Sequence, residues 1–133
     1  MLNRKSDSST KESKFIKLAY EQAKINLGST GLNPSVGCVV EKNGSVIASA
    51  HTSLNGRPHA EFNALNKKEN FKNSNIYVSL EPCSHYGKTP PCTKIIIKKK
   101  IKKVFFSIFD VDKRSNKKSI HNLRNKNILV KNG

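Results

Sequence analysis

The chain has 133 residues and a mass of 14.8 kDa, enough for one domain with a sizeable core and too few for two ordinary enzyme domains. No apolar run approaches the roughly 20 residues of a membrane-spanning helix, which excludes a helical membrane protein. Lys and Arg total 25 against 9 Asp and Glu, so the formal charge is +16 and an anionic partner is favoured. Of the basic residues 21 are Lys and 4 are Arg, although Arg is the better bidentate reader of phosphates and guanines. A solvated basic surface therefore explains the charge more simply than nucleic-acid binding. Three cysteines, Cys38, Cys83 and Cys92, are an odd and sparse set, which argues against a secreted disulfide framework and for a reducing, cytoplasmic compartment.

Met1 to Ser13 is polar and mixed in charge, with neither the apolar stretch of a secretory signal nor the acid-free character of a transit peptide. It reads as a disordered arm, leaving residues 14–133 as the folded domain. From Glu12 to Leu27 the residues Phe15, Leu18, Ala19, Ala23 and Leu27 recur at helical spacing, and Gly28 stops the helix. Val36 to Val40 and Val46 to Ala50 flank Asn43-Gly44, the signal of a tight antiparallel hairpin. A second helix is expected over Ala60 to Lys67, and Ile76 to Leu80 reads as a buried strand. After a loop from Glu81, the prolines Pro90 and Pro91 can open a helix, which places Cys92 in its first turn ahead of Thr93 to Lys100. Val104 to Phe109, a short helix over Ser119 to Arg124, and Ile128 to Val130 complete the pattern. A hairpin followed by strands that alternate with helices implies an α/β fold, a mixed five-stranded sheet between helical layers.

Three stretches carry chemistry: Pro58-His59-Ala60-Glu61, Glu81-Pro82-Cys83 and Pro90-Pro91-Cys92. One imidazole and two thiolates are the ligand types that Zn²⁺ prefers, and three protein ligands leave a fourth position open, as a catalytic site requires. Cys38, inside an apolar strand pattern, reads as a buried small hydrophobe rather than a ligand. Zinc with an open position lowers the pKa of water toward about 7. Glu61 lies two residues past His59, about 200° round an ideal helix. If His59 sits at the helix boundary, where helical angles have not set in, Glu61 can still reach the site as general acid and base.

The pairing of His-x-Glu with Pro-Cys is the zinc deaminase signature, except that the second cysteine follows nine positions later instead of three. The loop Glu81-Pro82-Cys83-Ser84-His85-Tyr86-Gly87-Lys88-Thr89-Pro90-Pro91-Cys92 resembles the pyrimidine deaminase domain of riboflavin biosynthesis, the RibD type. Asn33-Pro34-Ser35-Val36-Gly37 and Gly56-Arg57-Pro58-His59-Ala60-Glu61 extend that resemblance over most of the chain. It implies a cytidine deaminase-like three-layer fold. It also implies removal of the 2-amino group of a diaminopyrimidinone ribosyl phosphate, with release of ammonia. Residue by residue, it implies that His59, Cys83 and Cys92 bind zinc and that Glu61 shuttles protons. Asn33 would bond the pyrimidine, Ala60 would line the substrate site, and His85 and Lys88 would grip the ribose phosphate.

His51 resembles a histidine of the family's substrate site, although Thr52 to Pro58 is one residue longer than usual. Asp112 falls where the family places a substrate contact, within a stretch, Asp110 to Ser119, that lacks the family's prolines and glycines. The family couples this domain to an NADPH-dependent reductase, so a fused or separate reductase is an expected partner. A homo-oligomer is compatible with the reading. Two competing readings use the same residues. One is a deaminase of tRNA or free nucleobases; the other is a non-catalytic, zinc-stabilised RNA-binding module with Lys94, Lys98, Lys99, Lys100, Lys102 and Lys103 facing phosphates.

Overall fold

The computed structural model describes residues 4–84, 89–108 and 117–132. Its elements are α1 (Arg4–Lys24), β1 (Gly37–Lys42), β2 (Ser45–His51), a 3₁₀ turn (Leu54–Gly56), α2 (Ala60–Leu65), β3 (Asn75–Leu80), α3 (Cys92–Lys98), β4 (Lys103–Ile108), α4 (Lys118–Arg124) and β5 (Leu129–Asn132). The five strands form one sheet in the order β2-β1-β3-β4-β5. β1 is antiparallel to both β2 and β3, whereas β3-β4 and β4-β5 are parallel. This is the expected mixed sheet. Asn43 and Gly44, at φ 54° and 87°, turn the hairpin with the positive angles that the Asn-Gly pair supplies.

Strand alternation sorts the core into two layers. Cys38 and Val40, Ile76 and Val78, and Val104 and Phe106 face the side that α2, α3 and α4 cover. Val39, Tyr77 and Phe105 face the other side, where Phe15 and Ala19 of α1 pack on them. α1 approaches β1 so closely that a Cβ at Gly37 would lie 1.7 Å from the Ala19 carbonyl oxygen. Only glycine fits there.

α1 departs most from expectation. Helix begins at Arg4 rather than Glu12. The apolar period starts only at Phe15, and helix that is already nucleated propagates by one backbone bond per residue without needing an apolar face. Glu12 helps to pin the first half, since its carboxylate accepts from Lys103 Nζ and Lys131 Nζ, each at 3.0 Å. At the other end the helix stops at Lys24, because Leu27 stays 71% exposed and adds no packing. α2 is likewise shorter than expected: it ends at Leu65, where Asn66 leaves helical angles at ψ 62°. No helix among the described residues is long and apolar enough to cross a membrane.

Candidate metal centre

The chain reversal that separates β2 from α2 sets up the first ligand. His59 is the N-cap of α2, with extended angles of φ −70° and ψ 163°, and its carbonyl accepts the Asn63 N–H at 3.0 Å. It therefore stands just outside the helix. The 200° separation of an ideal helix does not apply to His59 and Glu61. Asn63 strengthens the arrangement, since its Nδ2 donates to the His51 carbonyl at 2.9 Å, to Ser53 Oγ at 2.8 Å and to the Pro58 carbonyl at 3.3 Å. One side-chain amide thus ties the end of β2 to the residue before His59.

Pro91 caps α3 in extended conformation and Cys92 is its first residue, as the Pro-Pro-Cys run predicts. The Cys92 N–H donates to Cys83 Sγ at 3.1 Å, and the Thr93 N–H to the Cys83 carbonyl at 3.2 Å. His59 Nδ1 lies 3.8 Å from Cys83 Sγ and 3.5 Å from Cys92 Sγ. All three donor atoms fall within 4.8 Å of one another, a grouping that can hold a metal ion. With Zn–N near 2.0 Å and Zn–S near 2.3 Å, tetrahedral geometry calls for N···S distances of about 3.6 Å. The donor set matches zinc in element and spacing, and the described residues supply three ligand atoms.

The electrostatics follow from these contacts. Cys83 accepts a hydrogen bond from the Cys92 thiol, which holds its own thiol well below the ordinary value; burial opposes this, and His59 supports it. Cys92 moves up in return, as donor to Cys83 and as a buried group beside Glu61. The bond to Cys83 raises His59. Glu61 is 4% exposed; burial and the negative sulfur of Cys83 push its carboxyl up to about 7, against the pull of His59, its own N–H and Cys92. Cys38 is fully buried in β1, outside the ligand group, and burial raises its thiol.

Of the other residues singled out in the sequence, Ala60 opens α2 with its side chain fully buried. Asn33 donates from Nδ2 to the Gly56 carbonyl at 2.9 Å. His51 ends β2, half-buried, and its Nδ1 meets Gln22 Oε1 of α1 at 3.0 Å. His85, Lys88 and Asp112 lie outside the described residues. Sequence reasoning missed Gln22 and Asn63, because their partners are 29 and up to 12 residues distant and no local pattern marks them. A largely apolar cavity of about 600 Å³ adjoins His59 and Cys92, walled by Pro58, Phe62, Pro91 and Ile95; Glu61 does not line it. The lysines proposed as a phosphate-facing stripe are partly committed within the fold. Lys103 pairs with Glu12, while Lys99 reaches the Lys67 carbonyl and lies 6.0 Å from the Phe71 ring centre.

The family model for the cytidine and deoxycytidylate deaminase zinc-binding region matches residues 9–108. The chain belongs to this zinc-binding deaminase family. It is 40% identical over 120 residues to the diaminohydroxyphosphoribosylamino-pyrimidine deaminase of Buchnera aphidicola subsp. Schizaphis graminum, covering 90% of this chain and 82% of that protein. It is 42% identical over 117 residues to the riboflavin biosynthesis protein RibD of Aquifex aeolicus, covering 87% of this chain but only 33% of that longer protein. The crystal structure of the Thermotoga maritima deaminase/reductase superposes with a TM-score of 0.86 at 40% identity, covering 93% of this chain and 36% of that one. The chain thus spans about a third of the length of these two longer relatives, and its cytidine deaminase-like α/β fold and zinc cofactor are those of the family.

Proposed function

We propose that this deaminase domain hydrolyses 2,5-diamino-6-(5-phosphoribosylamino)pyrimidin-4(3H)-one to 5-amino-6-(5-phosphoribosylamino)uracil and ammonia. The observation that carries the reading is the convergence of His59 Nδ1, Cys83 Sγ and Cys92 Sγ next to the buried Glu61. Similarity to a Buchnera protein that bears this deaminase name and is nearly the same length supports the choice of substrate.

His59, Cys83 and Cys92 hold the zinc, which when bound makes water a nucleophile at neutral pH. Glu61 takes one proton from the attacking water on a carboxylate oxygen and hands it to the departing amine, so that a C–O bond replaces the C–N bond and ammonia leaves. Its burial keeps bulk water from competing for that proton. Asn33 and the start of α2 at Ala60 bound the pyrimidine, while His51 contacts it through Nε2. His85 and Lys88 grip the phosphate and Asp112 makes a further contact. The product then passes to an NADPH-dependent reductase, fused or separate, in a cytoplasm reducing enough to keep the cysteines free.

The test is ammonia release by zinc-analysed protein given this pyrimidine, with cytidine, guanine and a tRNA anticodon stem-loop in parallel. Turnover of the first substrate alone is the expected result. Activity on the stem-loop but not on the pyrimidine would overturn the reading in favour of RNA editing.

A further inference from the structure

Glu81 carries a buried carboxyl group that the chemistry above does not use. It follows β3, two residues before Cys83, and is 2% exposed. Its backbone N–H donates to the Ile108 carbonyl at 2.7 Å. Its Oε1 accepts the Lys117 N–H at 3.1 Å, and its Oε2 accepts the Ser119 hydroxyl at 2.5 Å. Ile108 ends β4, Lys117 is the N-cap of α4, and Ser119 is fully buried in that helix's first turn. One residue therefore bonds the described chain on both sides of segment 109–116, while belonging to the stretch that carries a sulfur ligand.

A carboxyl costs free energy to bury unless its oxygens are satisfied, so simple packing would be served better by an apolar side chain. Among the described residues, the partners of Glu81 are Ile108 at the end of β4 and Lys117 and Ser119 at the start of α4. Pro82 between Glu81 and Cys83 is buried and has its φ locked by the ring, which makes Glu81-Pro82-Cys83 a stiff link. Glu81 and Cys83 are thus joined through a single buried residue of restricted backbone freedom.

We propose that Glu81 is a positioning residue that couples loading of the metal site to order at Ile108 and Lys117–Ser119, the two flanks of segment 109–116. The proposal rests on the metal reading of His59, Cys83 and Cys92. It goes beyond that reading in linking zinc to Ile108 and Lys117–Ser119, which lie outside the ligand group found among the described residues.

Hydrogen exchange tests it directly, because the Lys117 amide is itself bonded to Glu81. Exchange at Lys117–Ser119 is measured with and without one equivalent of zinc, alongside zinc content, KM and kcat. In the unmodified protein, zinc should slow exchange there by at least about tenfold. Glu81→Ala should still bind one zinc yet lose the zinc-dependent protection, with a raised KM and kcat within about twofold. Glu81→Gln should restore most of the protection, since its carboxamide oxygen can accept from Lys117 and its NH₂ can donate to Ser119 Oγ. Ser119→Ala, which removes one bond from the far side, should fall between the two and decides the matter should Glu81→Ala not fold. Zinc binding without any change at Lys117–Ser119 in the unmodified protein would overturn the coupling alone. Loss of zinc from Glu81→Ala, or a fall in kcat at unchanged KM, would overturn it by giving Glu81 a direct part in ligand geometry or chemistry. If the unmodified protein bound no zinc, the metal reading itself would fall, and the coupling with it.

Discussion

The two faces of the sheet treat a carboxyl group in opposite ways. Under α1, Glu12 stands beside two ammonium groups, and although burial works against it, Lys103 and Lys131 hold its carboxyl below the usual range. Across the sheet, Glu61 stands among sulfur ligands, and burial with the negative Cys83 pushes it up to about 7. The same side chain is spent on stability in one place and left able to exchange a proton near neutrality in the other. The flanking packing agrees with this division. The α1 face is closed by Phe15, Tyr77 and Phe105, whose rings pack at 5.1 and 5.7 Å between centres. The opposite face gives up part of its apolar area to His59, Glu61, Glu81 and Cys83.

Substitutions in the ligand group should break this comparison most completely. On the proposed ligand set, Cys83→Ala or His59→Ala removes a zinc donor, so metal analysis should fall from about one zinc per chain to near none, with turnover lost alongside. Retained stoichiometric zinc in either variant would remove that residue from the ligand set. Glu61→Gln sharpens the contrast, because it leaves all three proposed donors in place and removes only the proposed proton carrier. Zinc content and melting temperature should hold while kcat falls by about 10² to 10⁴. A variant within tenfold of the parent would exclude Glu61 from proton transfer.

Much of this division was legible in the residues. Asn43-Gly44 announces the hairpin, Pro90-Pro91 announces the helix start at Cys92, and Pro58-His59 announces the boundary of α2 at which His59 stands, because each is a local signal with a local cause. Other features depend on contacts that spacing along the chain does not encode. Gln22 meets His51 only because α1 crosses the end of β2. Glu81 finds Ser119 at a separation of 38 residues. Helix over residues 4–13 carries no apolar period, and part of its anchorage is an ion pair between Glu12 and residues 91 and 119 positions away.

Gly37→Ala probes the α1 face through shape rather than charge. The added carbon would lie 1.7 Å from the Ala19 carbonyl oxygen and 2.6 Å from the Ala23 backbone nitrogen, both part of the rigid helix backbone, so α1 must lift from β1. Overpacking of this kind costs about 1–3 kcal/mol, which denaturant unfolding would register as a lower midpoint. The proposed zinc donors lie on the other face, so metal stoichiometry in the folded fraction should be unchanged. A midpoint equal to the parent's would show that α1 does not seat on β1 in this way.

Glu12→Gln should have the smallest effect and the clearest dependence on pH. Glu12 is 13% exposed, Lys103 18% and Lys131 57%, so one arm of the pair is partly shielded from solvent and the other is not. Together they should contribute about 1 kcal/mol at neutral pH, less at high salt. Because the folded carboxyl is held below its unfolded value near 4.3, this stability is fully present above that unfolded value and disappears as pH falls through the folded one. Unfolding midpoints of Glu12→Gln and the parent should therefore differ at pH 7, differ by the same amount at pH 6, and converge in strong acid, where protonated Glu12 has no charge to offer either lysine. A gap that persisted at the lowest pH would assign the contribution of Glu12 to packing of the helix against β4 and β5 rather than to its charge.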